Sequence, residues 1–165
     1  MANGNVYHAR HNGTCILRFQ GAIDYTLGTA LDHFLDELFA GGDFRDILVD
    51  LNQTDSIDST GLGLLAKVAN GMLRREGAKP LLFSSRPDIN EILHSICLDD
   101  VFVLCPQALD ADADPGTLLP AGEPSESELA HTVLAAHRLL CEINDNNRAL
   151  FQNVVDTIEK DLDRS

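Results

Sequence analysis

The stretch DSIDSTGLGLL, residues 55–65, sets an acid, hydroxyl side chains and two glycines where a strongly apolar helix begins. Each glycine inside a helix costs about 1 kcal/mol relative to alanine, so Gly61 and Gly63 imply that something needs the space they leave. The segment before it, DILVDL at residues 46–51, is the near-continuous apolar run of a strand buried within a sheet. After it, Leu62, Leu65, Ala66, Ala69, Met72 and Leu73 recur at helical spacing until Gly77. The unit is therefore strand, short turn, helix.

The same alternation extends to both sides. GTCILRFQG, ending at Gly21, reads as a strand in which Cys15, Leu17 and Phe19 alternate with Ile16, Arg18 and Gln20, so one face is expected to meet solvent. Leu27, Ala30, Leu31, Phe34, Leu35 and Leu38 then mark a helix ending at Gly41-Gly42. Leu81 to Phe83 is a short strand, Pro87 opens a helix with an Ile89, Ile92, Leu93, Ile96 stripe, and Val101 to Leu104 is a last strand. This order predicts an α/β fold with right-handed parallel crossovers.

The composition narrows the function. The chain of 165 residues carries 26 acidic against 12 basic side chains, a formal charge of −14, which disfavours nucleic acid and anionic lipid as partners. No apolar run reaches the ~20 residues of a bilayer span, and MANGNVYHARHNG lacks the basic and hydrophobic regions of a leader. The expectation is a cytoplasmic protein without membrane contact. Cys15, Cys97, Cys105 and Cys141 form no CxxC pair and read as reduced thiols.

Three chemistries are open to DSIDSTGLGLL. A phosphate-cradling loop needs a lysine after its second glycine, but here Lys67 lies further into the helix. A nucleophile elbow needs GxSxG, and no glycine stands two residues before Ser59 or Thr60. The six histidines are scattered, with only His8 and His11 faintly paired, so neither a metal site nor acyl transfer is supported. The chain is read as a non-enzyme without a cofactor. What remains is a helix cap built from Asp58, Ser59 or Thr60, or a recognition surface with a modifiable hydroxyl, whose glycines expose backbone to another molecule.

DSIDSTGLGLL after DILVDL, together with GAID at residues 21–24, resembles the STAS domains, and among them the bacterial anti-sigma factor antagonists. The resemblance spans roughly residues 5–105 and implies a STAS fold, a small mixed sheet flanked by helices. It further implies partner switching. The unphosphorylated antagonist binds an anti-sigma factor that is also a serine kinase, and a PPM-type phosphatase restores that active form by removing the phosphate. Carried onto this sequence, the phosphoacceptor is Ser59, with Thr60 as the alternative, and the partner-binding residues are Asp24, Asp58, Ser59, Thr60, Gly61, Leu62 and Gly63. The competing reading is a non-switching interaction or scaffold subunit in which Ser59 only caps the helix.

The chain continues beyond the resemblance. With the STAS domain at 1–105, residues 106–125 read as an acidic linker containing Pro and Gly. Residues 126–165, free of Gly and Pro, read as one long amphipathic helix. Its seam of Leu129, Val133, Ala136, Leu140, Ile143, Asn147, Leu150 and Val154 needs a partner surface. Self-association, as a homodimer through this helix, or binding to another protein is favoured over docking on its own domain, because the linker gives the helix freedom to leave.

Overall fold

The computed structural model describes residues 4–110 and 113–164. Its sheet has six strands in the order β5-β4-β3-β2-β1-β6. Strand β1 (Asn5–His11) and strand β2 (Thr14–Ile23) form an antiparallel hairpin. Its turn, Asn12-Gly13, has φ of 51° and 83°, the two positive values that a tight hairpin of this hand requires. Strand β1 escaped the sequence reading because, of its seven residues, only Val6 is fully buried, which leaves no clear apolar alternation.

Strands β2, β3 (Asp46–Ile57), β4 (Leu81–Phe83) and β5 (Val103–Cys105) run parallel. They step across the sheet in one direction, so right-handed crossovers place the three intervening helices on one face. These are α1 (Gly28–Gly41), α2 (Ser59–Glu76) and α3 (Pro87–Ser95). Cys15 and Leu17 on β2 stand in register with Ile47 and Val49 on β3, and Val49 with Leu82 on β4. Together with Leu31, Leu35, Leu65, Val68, Met72, Ile89 and Leu93 they make the core, whose burial dominates the free energy of folding.

The opposite face of the sheet is not left to solvent as the alternation suggested. Arg18 and Asp50 stand in register and form an ion pair, Nε to Oδ2 at 2.9 Å, with both residues buried. The Arg18 Nη1 group also donates to the Asp114 carbonyl. The segment returning across this face ends in β6 (Thr117–Leu118), which adds antiparallel to β1. Part of the region 106–125 is thus tied to the sheet edge.

The helical reading of the tail holds, but the chain divides there into α4 (Glu126–Ile143) and α5 (Asp145–Asp163). A capping box of Ser125 and Glu128 starts α4. Asn144, with extended backbone, closes α4 and caps α5 by accepting from the Asn147 amide. The two helices fold against each other as a hairpin. The break also shifts the phase of the seam. Ala136, Leu140 and Asn147 are buried, whereas Leu150 and Val154 face solvent and α5 instead turns Phe151 and Val155 inward. The favoured undocked tail is corrected as well, because α4 lies across α2 and α1 of its own domain. Among the described residues, no helix is long and apolar enough to cross a membrane.

Candidate functional site

Strand β3 delivers the DSIDST segment to the start of α2, where Asp58 has extended backbone and acts as the cap. One Asp58 carboxylate oxygen accepts from the Gly61 amide at 2.9 Å, and the other accepts from the Tyr25 amide at 2.9 Å. The Asp58 amide in turn donates to the Ile23 carbonyl at 3.0 Å. Asp58 therefore locks the turn after β2 onto the N-terminus of α2. Within that turn, Asp24 caps a short 3-10 helix, Tyr25–Leu27, through the Thr26 amide at 2.9 Å and the Thr26 hydroxyl. The GAID and DSTGLG motifs thus meet in one place, through the Asp58–Ile23 bond and the bond from Tyr25, the residue after GAID.

The hydroxyls beside the cap have different surroundings. Thr60 is buried, only 3 % exposed, whereas Ser59 is half-buried at the first helical position. With Asp58 serving as the cap, the Ser59 hydroxyl is directed elsewhere: its Oγ lies 2.8 Å from Nε2 of His137 on α4. The Nδ1 of His137 lies 2.7 Å from the Val133 carbonyl, an acceptor only. In the neutral ring Nδ1 is therefore the donor and Nε2 accepts the Ser59 proton. Nothing in the sequence around His137 signals this contact. It depends on how α4 docks.

The glycines explain that docking. A Cβ on Gly63 would fall 2.3 Å from the Ala136 carbonyl oxygen, and one on Gly61 would fall 2.8 Å from Cγ1 of Ile57. The space at Gly63 is therefore filled by α4 of the same chain, and that at Gly61 by the preceding strand. Gly61, Leu62 and Gly63 are all buried. Of the residues expected to meet a partner, only Asp24 is exposed, and Asp58 and Ser59 are half-buried beside it. Thr29 and Thr132 hydroxyls, 3.0 Å apart, add a second polar contact between α1 and α4.

The surrounding charges are partly compensated. Asp55 is paired with Arg86 at 2.9 Å on the surface, so Asp24 and Asp58 supply the negative field next to Ser59. Lys67, too far along α2 for phosphate binding at its start, instead bridges Asp32 and Asp36 on α1. The Lys67 ammonium has a raised pKa: its partial burial opposes the charge, but the bonds to the two carboxylates outweigh that cost. His8 and His11 fall on opposite faces of β1 by strand alternation. His8 stacks on Phe34, with ring centroids 4.6 Å apart, and burial together with Arg10 lowers its pKa. Among the described residues, no cluster of three or more His, Cys, Asp or Glu side chains could hold a metal ion. The four cysteines are free thiols.

The fold has solved relatives. An anti-sigma factor antagonist from Mycobacterium paratuberculosis superposes with a TM-score of 0.56 at 22 % identity, over 64 % of this chain and 87 % of that one. The Bacillus cell fate determinant SpoIIAA in its phosphorylated form gives a TM-score of 0.51 at 14 % identity, over 61 % of this chain and 90 % of that one. No curated protein matches the sequence. The STAS domain model matches residues 6–111, from β1 through the end of β5 and into the return segment. With the matched region covering well over half of the molecule and the sheet, crossovers and capped α2 in place, the chain belongs to the STAS domain family.

Proposed function

We propose that this protein is an anti-sigma factor antagonist that works by partner switching, with Ser59 as the phosphoacceptor. The carrying observation is that Asp58, not Ser59, caps α2, which leaves the Ser59 hydroxyl at the first helical position without a role in holding the helix. Its neighbour Thr60 is buried, which favours Ser59 over Thr60 as acceptor. The fold shared with an anti-sigma factor antagonist and with SpoIIAA in a phosphorylated form supports the same reading.

The chemistry of the switch follows from the location. A phosphoryl group brings about −1.5 to −2 charges, and the N-terminal end of a helix tolerates an anion through its free amides and dipole. The domain therefore keeps its fold. A partner resting on the α2 start would meet a dianion beside Asp24 and Asp58, and desolvation and repulsion would oppose docking. The unphosphorylated form would bind an anti-sigma factor acting as serine kinase, and a PPM-type phosphatase would regenerate it.

The test is binding. Wild type, Ser59→Ala and Ser59→Glu are immobilised and challenged with lysate of the source cell containing ATP. Ser59→Ala should retain a serine-kinase anti-sigma factor that wild type releases on phosphorylation, and Ser59→Glu should retain at least tenfold less. Equal retention by all three would favour a scaffold subunit instead.

A further inference from the structure

The reading of the α2 start as the partner-facing site leaves one conflict: most of that face is occupied from within the chain. Resting on that reading, we propose that the α4–α5 hairpin is a detachable cover that competes with the partner for the α2 N-terminus and is latched by the Ser59–His137 hydrogen bond.

The occlusion is specific. The Ala136 backbone fills the space above Gly63, Thr132 sits over Gly28 and bonds Thr29, and His137 takes the Ser59 hydroxyl. Asn147, fully buried, donates to the Ile96 carbonyl at 2.7 Å and fastens the far end. A partner packing on Leu62 and Gly63, or a kinase reaching the Ser59 hydroxyl, cannot act while α4 is there.

The cover is also built to leave as a unit. Leu134, Cys141 and Val155, with Ile158 and Leu162, form a second, smaller cluster between α4 and α5, and Phe151 touches both it and the main core. Arg138 pairs with Glu159 across the two helices at 2.7 Å. Undocking therefore leaves the hairpin's internal packing in place. The face it turns to the domain mixes small or polar side chains, Thr132, Ala136, His137 and Asn147, with apolar ones, Leu140 fully buried and Leu139, Ile143 and Phe151 partly buried against the core. Such mixed surfaces are characteristic of interfaces between units that move relative to each other. The tether is the region 106–125, held to the sheet by β6, by the Leu119 amide on the Val6 carbonyl, by the Arg18 contact to the Asp114 carbonyl and by the Asn52 contact to the Gln107 carbonyl. Because only the open form binds, the apparent dissociation constant of the partner is the intrinsic one divided by the open fraction.

The experiment compares thiols in the full-length chain. Leu140→Cys places a probe on the domain-facing side of α4, and native Cys15, buried in β2, reports unfolding of the domain itself. N-ethylmaleimide labelling is located by peptide fragmentation, which separates position 140 from native Cys141, and each rate is divided by that in urea-unfolded protein, so that the ratio reports exposure on opening, where the burial that raises the Cys15 pKa is lost. The cover predicts at least tenfold weaker protection at position 140 than at Cys15, and a further several-fold loss at 140 alone when His137→Ala is added. Equal protection at both positions, unaffected by His137→Ala, would make the hairpin a permanent part of the core and overturn the proposal. Should Leu140→Cys fail to fold, the near-isosteric Thr132→Cys takes its place with the same two outcomes. Rapid labelling at 140 in a protein that never acquires phosphate on Ser59 would uphold the cover while removing the phosphorylation reading.

Discussion

At the scale of residues, one carboxylate and one missing side chain organise the site. Asp58 uses both oxygens, on the Gly61 and Tyr25 amides, so Asp58→Ala removes a helix cap and a tie between two motifs. A cap is worth ~1 kcal/mol, up to about 2, and for a domain of this size each kcal/mol shifts Tm by roughly 2–4 °C. A fall of about 2–8 °C in calorimetry is expected. Gly63→Ala is a sharper case. In an open helix the change is stabilising. Here the new methyl meets the Ala136 carbonyl at 2.3 Å, and overpacking of that kind costs about 1–3 kcal/mol. Thermal unfolding of Gly63→Ala should therefore occur below that of wild type. Motif spacing made Asp58, Ser59 and the glycines legible in the sequence. His137 was not, because a histidine on the apolar side of a helix reads as core until the docking partner is known.

Elements were legible where a period was long and uninterrupted. Helices α1, α2 and α3 followed from apolar residues at helical spacing with glycine or proline at their ends. Strand β1 carries few buried residues, and its true signal was the Asn12-Gly13 turn rather than its pattern. The division between α4 and α5 was hidden because Asn144 and Asp145 break no hydrophobic period, yet Asn144 caps the second helix. Substituting Asn144 by Ala should cost about 1 kcal/mol and favour a continuous helix. That change would rotate Leu150 and Val154 toward the seam and weaken the packing of Phe151 and Val155. Hydrogen exchange at the start of α5 should accelerate in the variant before the rest of the chain responds.

The whole molecule is held by contacts distant in sequence, which periodicity cannot reveal. The Arg18–Asp50 pair on the covered face of the sheet is an example, since Arg18 read as solvent-facing and nothing in DILVDL pointed to a partner for Asp50. Replacing Asp50 by Ala leaves a buried guanidinium without its partner, an effect of about 3–5 kcal/mol, and urea midpoints should fall accordingly. The docked hairpin likewise determines assembly. Ala136, Leu140 and Asn147 of the seam lie against the chain's own domain, so sedimentation of the purified protein should give the monomer mass of 18.0 kDa, not the homodimer that the seam suggested. All of these features bear on one claim, that the hydroxyl at the start of α2 is the switch. The most direct measurement is phosphate mapping on full-length protein incubated with lysate of the source cell and ATP, read by intact mass and then by peptide. One added phosphate is expected on Ser59, absent from Ser59→Ala. A phosphate on Thr60 or Ser56 that persists in Ser59→Ala, or none at all in wild type, would contradict it.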